Sequence, residues 1–287
     1  MKELMESLPP RLWRELLFAV REEELQEVHM RLGRRTEVVA GRESVLLEHR
    51  SRREELETVL DSAMERSYYT SQMFLREGFC TARGGCRIGV TGTMVTDDAG
   101  VRAIREISGL NIRFARAFPG IAGQALEEIM RDPGSVLIVG RPGCGKTTLL
   151  RDLIRQISDT MHQRIAVADT RFELAAVHEG RPMLDVGERT DVLSGGGKAE
   201  GITMLLRCMN PQWIAVDEIT AEEDVSAMER CHGCGVFLLA TAHAWDRKDL
   251  ERRPVYRAMM RSGMFRYVIE MDGSWTYAVR NMEVKDG

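Results

Sequence analysis

The residues Gly140-Arg141-Pro142-Gly143-Cys144-Gly145-Lys146-Thr147-Thr148 match the pattern G-x-x-x-x-G-K-[ST]. A short apolar run, SVLIVG, precedes them, and LLRDLIRQI follows with helical spacing. That strand–loop–helix context is the one in which this pattern holds phosphate. The glycines let backbone N–H groups turn inward onto phosphate oxygens, and the helix N-terminus adds a favourable dipole. Lys146 is expected to reach the β and γ phosphates and the Thr147 hydroxyl to ligate Mg²⁺. The loop is therefore read as an ATP site with Mg²⁺ as its companion ion. At Cys144 the geometry asks only for a small side chain, so packing is preferred there to a redox role.

A second chemical signal is QWIAVDEI at 212–219, an apolar strand ending in Asp217-Glu218. In enzymes with such loops a strand-end Asp holds the Mg²⁺ shell, and a second carboxylate beside it can polarise the attacking water. The pair points to hydrolysis, with Asp217 toward the metal and Glu218 as the catalytic base. The run VFLLATAH ends at His243; the usual strand order would put it beside the γ-phosphate as a sensor. RIAVAD ends at Asp169, with Arg171 and Glu173 just beyond. These acids fit a Mg²⁺ or water shell and a solvated helix start about equally. Arg189, on an apparent loop in PMLDVGERTDVL, is read as a cation for phosphate in its own subunit or a neighbour's, against a surface ion pair. Cys231-His232-Gly233-Cys234 supplies too few ligands for structural zinc and lacks a redox-motif context, so packing cysteines are expected.

These residues need positioning elements. The runs SVLIVG, RIAVAD, QWIAVDEI and VFLLATAH are apolar throughout and alternate with helical stretches. That pattern fits strands buried on both faces of a mostly parallel sheet with helical crossovers. Upstream the texture differs. Leu12, Leu16, Leu17, Val20 and Leu25 suggest a helix over 11–27; alternation from Val28 suggests a strand and hairpin; a second helix is expected at about 54–75. GFCTARGGCRIGVTGTMV (78–95) reads as two short strands around Gly84-Gly85, DDAG (97–100) as a turn, and 107–120 as an interdomain joint ended by Pro119-Gly120. A helix is expected at about 121–130, and FRYVIEM and TYAVRN look strand-like. The expected fold is α/β, a smaller α+β domain over 1–118 followed by a P-loop domain over 119–287.

Bulk properties narrow the function. Of 287 residues, 44% are hydrophobic and 29% charged, which suits a globular protein of two modest domains. The net charge of −4 argues against general attraction to nucleic acid. No apolar stretch approaches the roughly 20 residues that span a bilayer, and the N-terminus does not read as a signal peptide. Cys80, Cys86, Cys144, Cys208, Cys231 and Cys234 are scattered, which fits a reducing cytoplasm. No repeats or low-complexity segments stand out.

The chain resembles the stage III sporulation protein AA family, relatives of the hexameric secretion and pilus ATPases. The resemblance is carried by EVHMRLGR, GFCTARGGCRIGVTGT, LNIRFAR, CGKTTLLRD, DVGERTDVL, KAEG, VDEI and LLATAH, along nearly the whole length. It implies an N-terminal α/β domain, a RecA-like ATPase domain and a homo-oligomeric ring, a hexamer, with nucleotide between subunits. It also implies a cytoplasmic, mother-cell location, with membrane-embedded sporulation channel proteins as partners and no direct membrane insertion. By the same resemblance Lys146 and Thr147 are nucleotide ligands, Glu218 the catalytic glutamate and His243 the secretion-ATPase histidine. The sequence departs from the family pattern at Asp169-Thr170-Arg171, where an acid is replaced by Thr170, and at CHGCG before the next strand. Arg102, Arg105, Arg113 and Arg116 are further candidates for cations offered to a neighbouring site. The alternatives are a nucleic-acid-stimulated RecA-like motor, a small-molecule kinase and a nucleotide-gated scaffold with little turnover. The first lacks an appended basic domain, and the other two have no need of Glu218.

Overall fold

The computed structural model describes residues 7–41, 43–64, 78–82, 85–98, 100–114, 117–245, 247–273 and 275–282. The chain forms two compact units. One comprises Met1–Arg116 with Ala176–Leu184; the other comprises Ala117–Ala175 with Asp185–Gly287.

The first unit is an antiparallel sheet with helices. Its elements are α1 (Pro10–Ala19), β1 (Leu25–Arg31), β2 (Arg35–Ala40), β3 (Glu43–Arg50), α2 (Arg53–Met64), β4 (Phe79–Ala82), β5 (Cys86–Asp97) and β6 (Gly100–Arg113). The strand order is β3-β2-β1-β6-β5-β4. Leu12 and Leu16 of α1, Val28 and Met30 of β1, Leu56 and Leu60 of α2, and Ile88 and Ile112 form one core.

The first unit departs from two expectations. The first helix stops at Ala19, because Val20 turns extended and Glu22–Glu24 forms a single 3₁₀ turn before β1 begins at Leu25. Leu25 and Val28 share a buried face three residues apart because β1 carries a bulge between Leu25 and Glu27, and that spacing imitates a helix. Residues 107–113 are not a joint but the end of β6, a central strand paired with β1 and β5. Within this strand, a Cβ on Gly109 would lie 2.9 Å from Thr91 Oγ1 and 3.1 Å from the Met30 carbonyl. Close strand approach, rather than a turn, explains this glycine. The second helix is described only as far as Met64, and 65–75, Gly84, Ala99 and Arg116 lie outside the described residues.

The second unit holds α3 (Gly123–Arg131), β7 (Val136–Gly140), α4 (Lys146–Thr160), β8 (Ile165–Asp169), β9 (Thr190–Ser194), α5 (Lys198–Cys208) and β10 (Trp213–Val216). These are followed by α6 (Glu222–Gly233), β11 (Phe237–His243), α7 (Arg247–Arg252), α8 (Pro254–Arg261), β12 (Tyr267–Met271) and β13 (Tyr277–Asn281). Its sheet runs β13-β12-β7-β11-β10-β8-β9. All pairs are parallel except the β12–β13 hairpin at one edge. Every residue of β7, β8 and β10 is buried, which is why their apolar runs do not alternate. Because β11 lies between β7 and β10, the C-terminal ends of these three strands converge at one edge. No helix among the described residues is long and apolar enough to cross a membrane.

Candidate nucleotide-binding and hydrolytic site

The loop between β7 and α4 is held by its own small residues. Gly143 and Gly145 have φ of +76° and +100°, which side-chain-bearing residues rarely adopt. Gly140 passes so close to Cys144 that a Cβ would lie 2.6 Å from the sulfur. Cys144 is buried and packs beneath the loop. Arg141 stacks over the Trp245 ring with its guanidinium carbon 3.7 Å from the centroid.

Lys146, the first residue of α4, is buried apart from 5% of its surface. Its ammonium donates to the carbonyls of Gly140 and Arg141, both at 2.9 Å, and to His243 Nδ1 at 3.0 Å. Burial lowers its pKa from the ordinary lysine value, partly offset by Asp217.

Thr147 donates its hydroxyl hydrogen to Asp217 Oδ2 at 2.8 Å. The other oxygen of Asp217 accepts from Thr241 Oγ1 at 2.5 Å, and Thr241 Oγ1 itself accepts the Glu218 backbone N–H at 2.7 Å. One buried hydroxyl from β11 thus orients both acids. Glu218 has φ of +56°, a conformation that costs a non-glycine residue about 1 kcal/mol or more and clusters at functional sites. Its carboxylate meets His243 Nε2 at 3.1 Å and pairs with Arg171. Its carbonyl accepts from Lys198, whose ammonium also lies 3.7 Å from Asp224.

His243 therefore bridges Lys146 and Glu218. An ammonium can only donate, so Nδ1 accepts and the ring proton sits on Nε2, facing the carboxylate. Burial and then the Lys146 charge lower the His243 pKa from 6.5. The sign follows from linkage. The unfolded chain takes up a proton near pH 6.5 while the folded protein resists it, so stability from this neutral histidine is complete above that pH and declines below it. An NMR titration of His243 is expected to give a midpoint under 6.5; a midpoint above it would mean the ring does not accept from Lys146.

Asp169 has a different task from the metal or water shell considered for it. Its buried carboxylate accepts the backbone N–H groups of Glu173 (2.9 Å), Leu174 (3.2 Å) and Ala175 (2.9 Å). Arg151 caps the same turn from the other side, donating to the carbonyls of Leu174 and Glu173 at 2.6 Å each. Together they pin the point where the chain leaves the second unit after Ala175. Asp169→Ala strips several buried donors of their acceptor and is expected to lower unfolding stability by roughly 3 kcal/mol, read from the denaturant midpoint. An unchanged midpoint would show the turn is held without it.

Arg189 is not brought to the loop. Its N–H donates to Ser158 Oγ at 2.9 Å and its carbonyl accepts from Ile165 at the start of β8. Ser158 is about 18 Å along α4 from Lys146 at 1.5 Å per residue, so the exposed Arg189 cannot reach phosphate in its own subunit. Arg102 pairs with Asp97 at 2.6 Å and Arg113 with Glu27 at 3.3 Å, all within the first unit. Cys231 is buried in the second unit's core, where burial pushes its thiol up to about 11; Cys234 is exposed.

Sequence reasoning assigned no role to Thr241, Lys198 or Arg151. Signals existed for two of them. Thr241 is a polar residue inside an otherwise apolar run, FLLATA. Lys198 opens a helix, where the dipole disfavours a cation, so a specific partner was to be expected.

The family model for sporulation stage III, protein AA, matches residues 3–279. The chain belongs to that family. Stage III sporulation protein AA of Bacillus subtilis (strain 168) is 34% identical over 276 residues, 94% of this chain and 87% of that protein. Among solved structures, the Legionella pneumophila ATPase DotB superposes with a TM-score of 0.62 at 16% identity, covering 92% of this chain and 76% of its own. The pilus retraction motor PilT, solved with bound ADP, gives 0.58 at 17%, covering 87% and 74%. This member of the sporulation family thus shares an α/β fold with secretion and pilus ATPases.

Proposed function

We propose that this member of the stage III sporulation protein AA family is a Mg²⁺-dependent ATP hydrolase working as a homo-oligomeric ring, a hexamer. In this reading a RecA-like P-loop domain over 119–287 follows an N-terminal α+β domain over 1–118, with Ala176–Leu184 returning to the first unit. The observation that carries it is the continuous chain of contacts from Lys146 and Thr147 through Asp217 and Thr241 to Glu218 and His243.

Residues 140–148 would wrap the phosphates with backbone N–H groups. Thr147 and Asp217, a hydroxyl and a carboxylate 2.8 Å apart at a strand end, are a hard-oxygen pair that suits Mg²⁺. When bound, Mg²⁺ would neutralise phosphate charge. Lys146 would exchange its loop carbonyls for the β and γ phosphates. His243 Nδ1 would then lose its donor, which couples the terminal phosphate to the Glu218 contact. Glu218 would accept a proton from the water whose oxygen bonds to the γ-phosphorus as the bond to ADP breaks. Arg189, remote from its own loop, would serve a neighbour's phosphates.

Family membership and the fold shared with secretion and pilus ATPases support a role in powering or assembling a membrane channel complex during sporulation. The protein would act from the mother-cell cytoplasm with membrane-embedded channel proteins as partners. ATP turnover per subunit that rises with protein concentration is the test, because sites completed between subunits need assembly.

A further inference from the structure

The second unit carries an exposed aromatic pair beside the phosphate loop that the hydrolytic chemistry does not use. Phe118 and Trp275 have ring centroids 4.7 Å apart, tilted by 47°, and keep 38% and 45% of their surface exposed. Trp275 lies against the loop, since a Cβ on Gly145 would be 2.9 Å from its ring. Its backbone φ of +67° is costly for a bulky residue.

Phe118 is tied to the same helix by a different route. Asp152, buried on α4, accepts the Ala122 N–H at 2.9 Å and bonds to Gln156 and Arg155, all at 2.7–2.9 Å. Burial would raise its pKa, but hydrogen bonds from Ala122, Arg155, Gly120 and Gln156 bring it below the usual value. Tyr277 donates to the Ile121 carbonyl at 2.8 Å. The turn that follows Phe118 is thus fastened to α4 and to β13.

Position selects the ligand. β7 has β11 on one side and β12 on the other. Asp217, Glu218 and His243 lie toward β11 and β10, and Trp275 follows β12. A nucleotide with its terminal phosphate at Glu218 would run along the loop past Gly145 and leave it on the Trp275 side. We infer that Phe118 and Trp275 form a stacking platform for the purine base of that nucleotide. At the turn, the Ala122 N–H donates to Asp152 and the Ile121 carbonyl accepts from Tyr277, so both are engaged within the protein. Stacking on the exposed ring faces therefore supplies the affinity. The inference rests on the nucleotide reading of the loop.

The test compares ATP with inorganic tripolyphosphate, which has the phosphates and no base, by calorimetry on the full chain. Aromatic–base stacking is worth about 1–3 kcal/mol per base, so Trp275→Ala and Phe118→Ala should each weaken ATP binding about 5- to 150-fold. Tripolyphosphate affinity should stay within about twofold, which also shows that the variants are folded. In the wild type, ATP should quench tryptophan fluorescence, and Trp275→Phe should keep ATP affinity while losing that quench. ATP affinity unaltered in both alanine variants would overturn the platform, as would equal losses for the two ligands. So would a quench that persists in Trp275→Phe, because it would put the base beside another tryptophan. Failure of the wild type to bind either ligand would instead overturn the loop reading, and this inference with it.

Discussion

Glu218→Gln is expected to bind ATP as tightly as the wild type and to lose turnover by about 10²–10⁴-fold, the contribution typical of a positioned general base. The amide keeps the shape of the carboxylate and can still face His243 Nε2 and Arg171, so the loop and Mg²⁺ pair are left in place. It cannot take a proton from water. The backbone features that aim the residue, its φ of +56° and the N–H donated to Thr241 at 2.7 Å, do not depend on side-chain charge. Single-turnover phosphate release beside nucleotide titration separates the two properties. Wild-type turnover in this variant would place the base elsewhere.

Lys146→Ala acts at the earlier step. The ammonium already bonds to two loop carbonyls and His243, an arrangement that holds a cation in a buried place where burial alone disfavours it. Charge-assisted hydrogen bonds of this kind are worth about 1.5–3 kcal/mol each. Losing about 3 kcal/mol corresponds to roughly a 100-fold weaker ATP affinity. Removal also leaves His243 Nδ1 without its donor, so the His243 titration should move upward toward 6.5 in this variant. ATP affinity equal to the wild type would sink the assignment of the loop.

Much of the second unit was legible because its strands are buried on both faces and bounded by turn residues. SVLIVG, RIAVAD, QWIAVDEI and VFLLATAH each hold a strand, β7, β8, β10 and β11, since apolar runs this short suit a sheet interior better than a buried helix. The strand–loop–helix placement of 140–148 was legible for the same reason. What was hidden depends on contacts between distant residues. The order β7-β11-β10 is what puts Thr241 between Thr147 and Glu218, and no local pattern encodes that order. Asp169 suits a site acid and a solvated helix start about equally by sequence, whereas its carboxylate is consumed by backbone N–H groups four to six residues ahead. In the first unit, a bulge at Leu25 and a close-approach glycine at Gly109 disguised strands as a helix and a joint. The return of Ala176–Leu184 to the first unit had no sequence signal, because a short insertion carries no period.

Three residues to which the sequence attaches no chemistry meet at the acid pair. Arg171 in the turn after β8, Lys198 at the start of α5 and Thr241 within β11 all touch Glu218 or Asp217. Glu218 is thereby held by one cation at its carboxylate and another at its carbonyl. In the proposed reading, this arrangement would keep the Glu218 carboxylate engaged with protein groups until a bound phosphate drew Lys146 away.

The most direct measurement is phosphate release per subunit, followed from dilute to concentrated protein with ATP and Mg²⁺, and with Glu218→Gln as the blank. Release above the blank that climbs with concentration is the predicted result, since it requires both this site and its assembly. Release no greater than the blank at every concentration would contradict the claim that the chain hydrolyses ATP at Glu218.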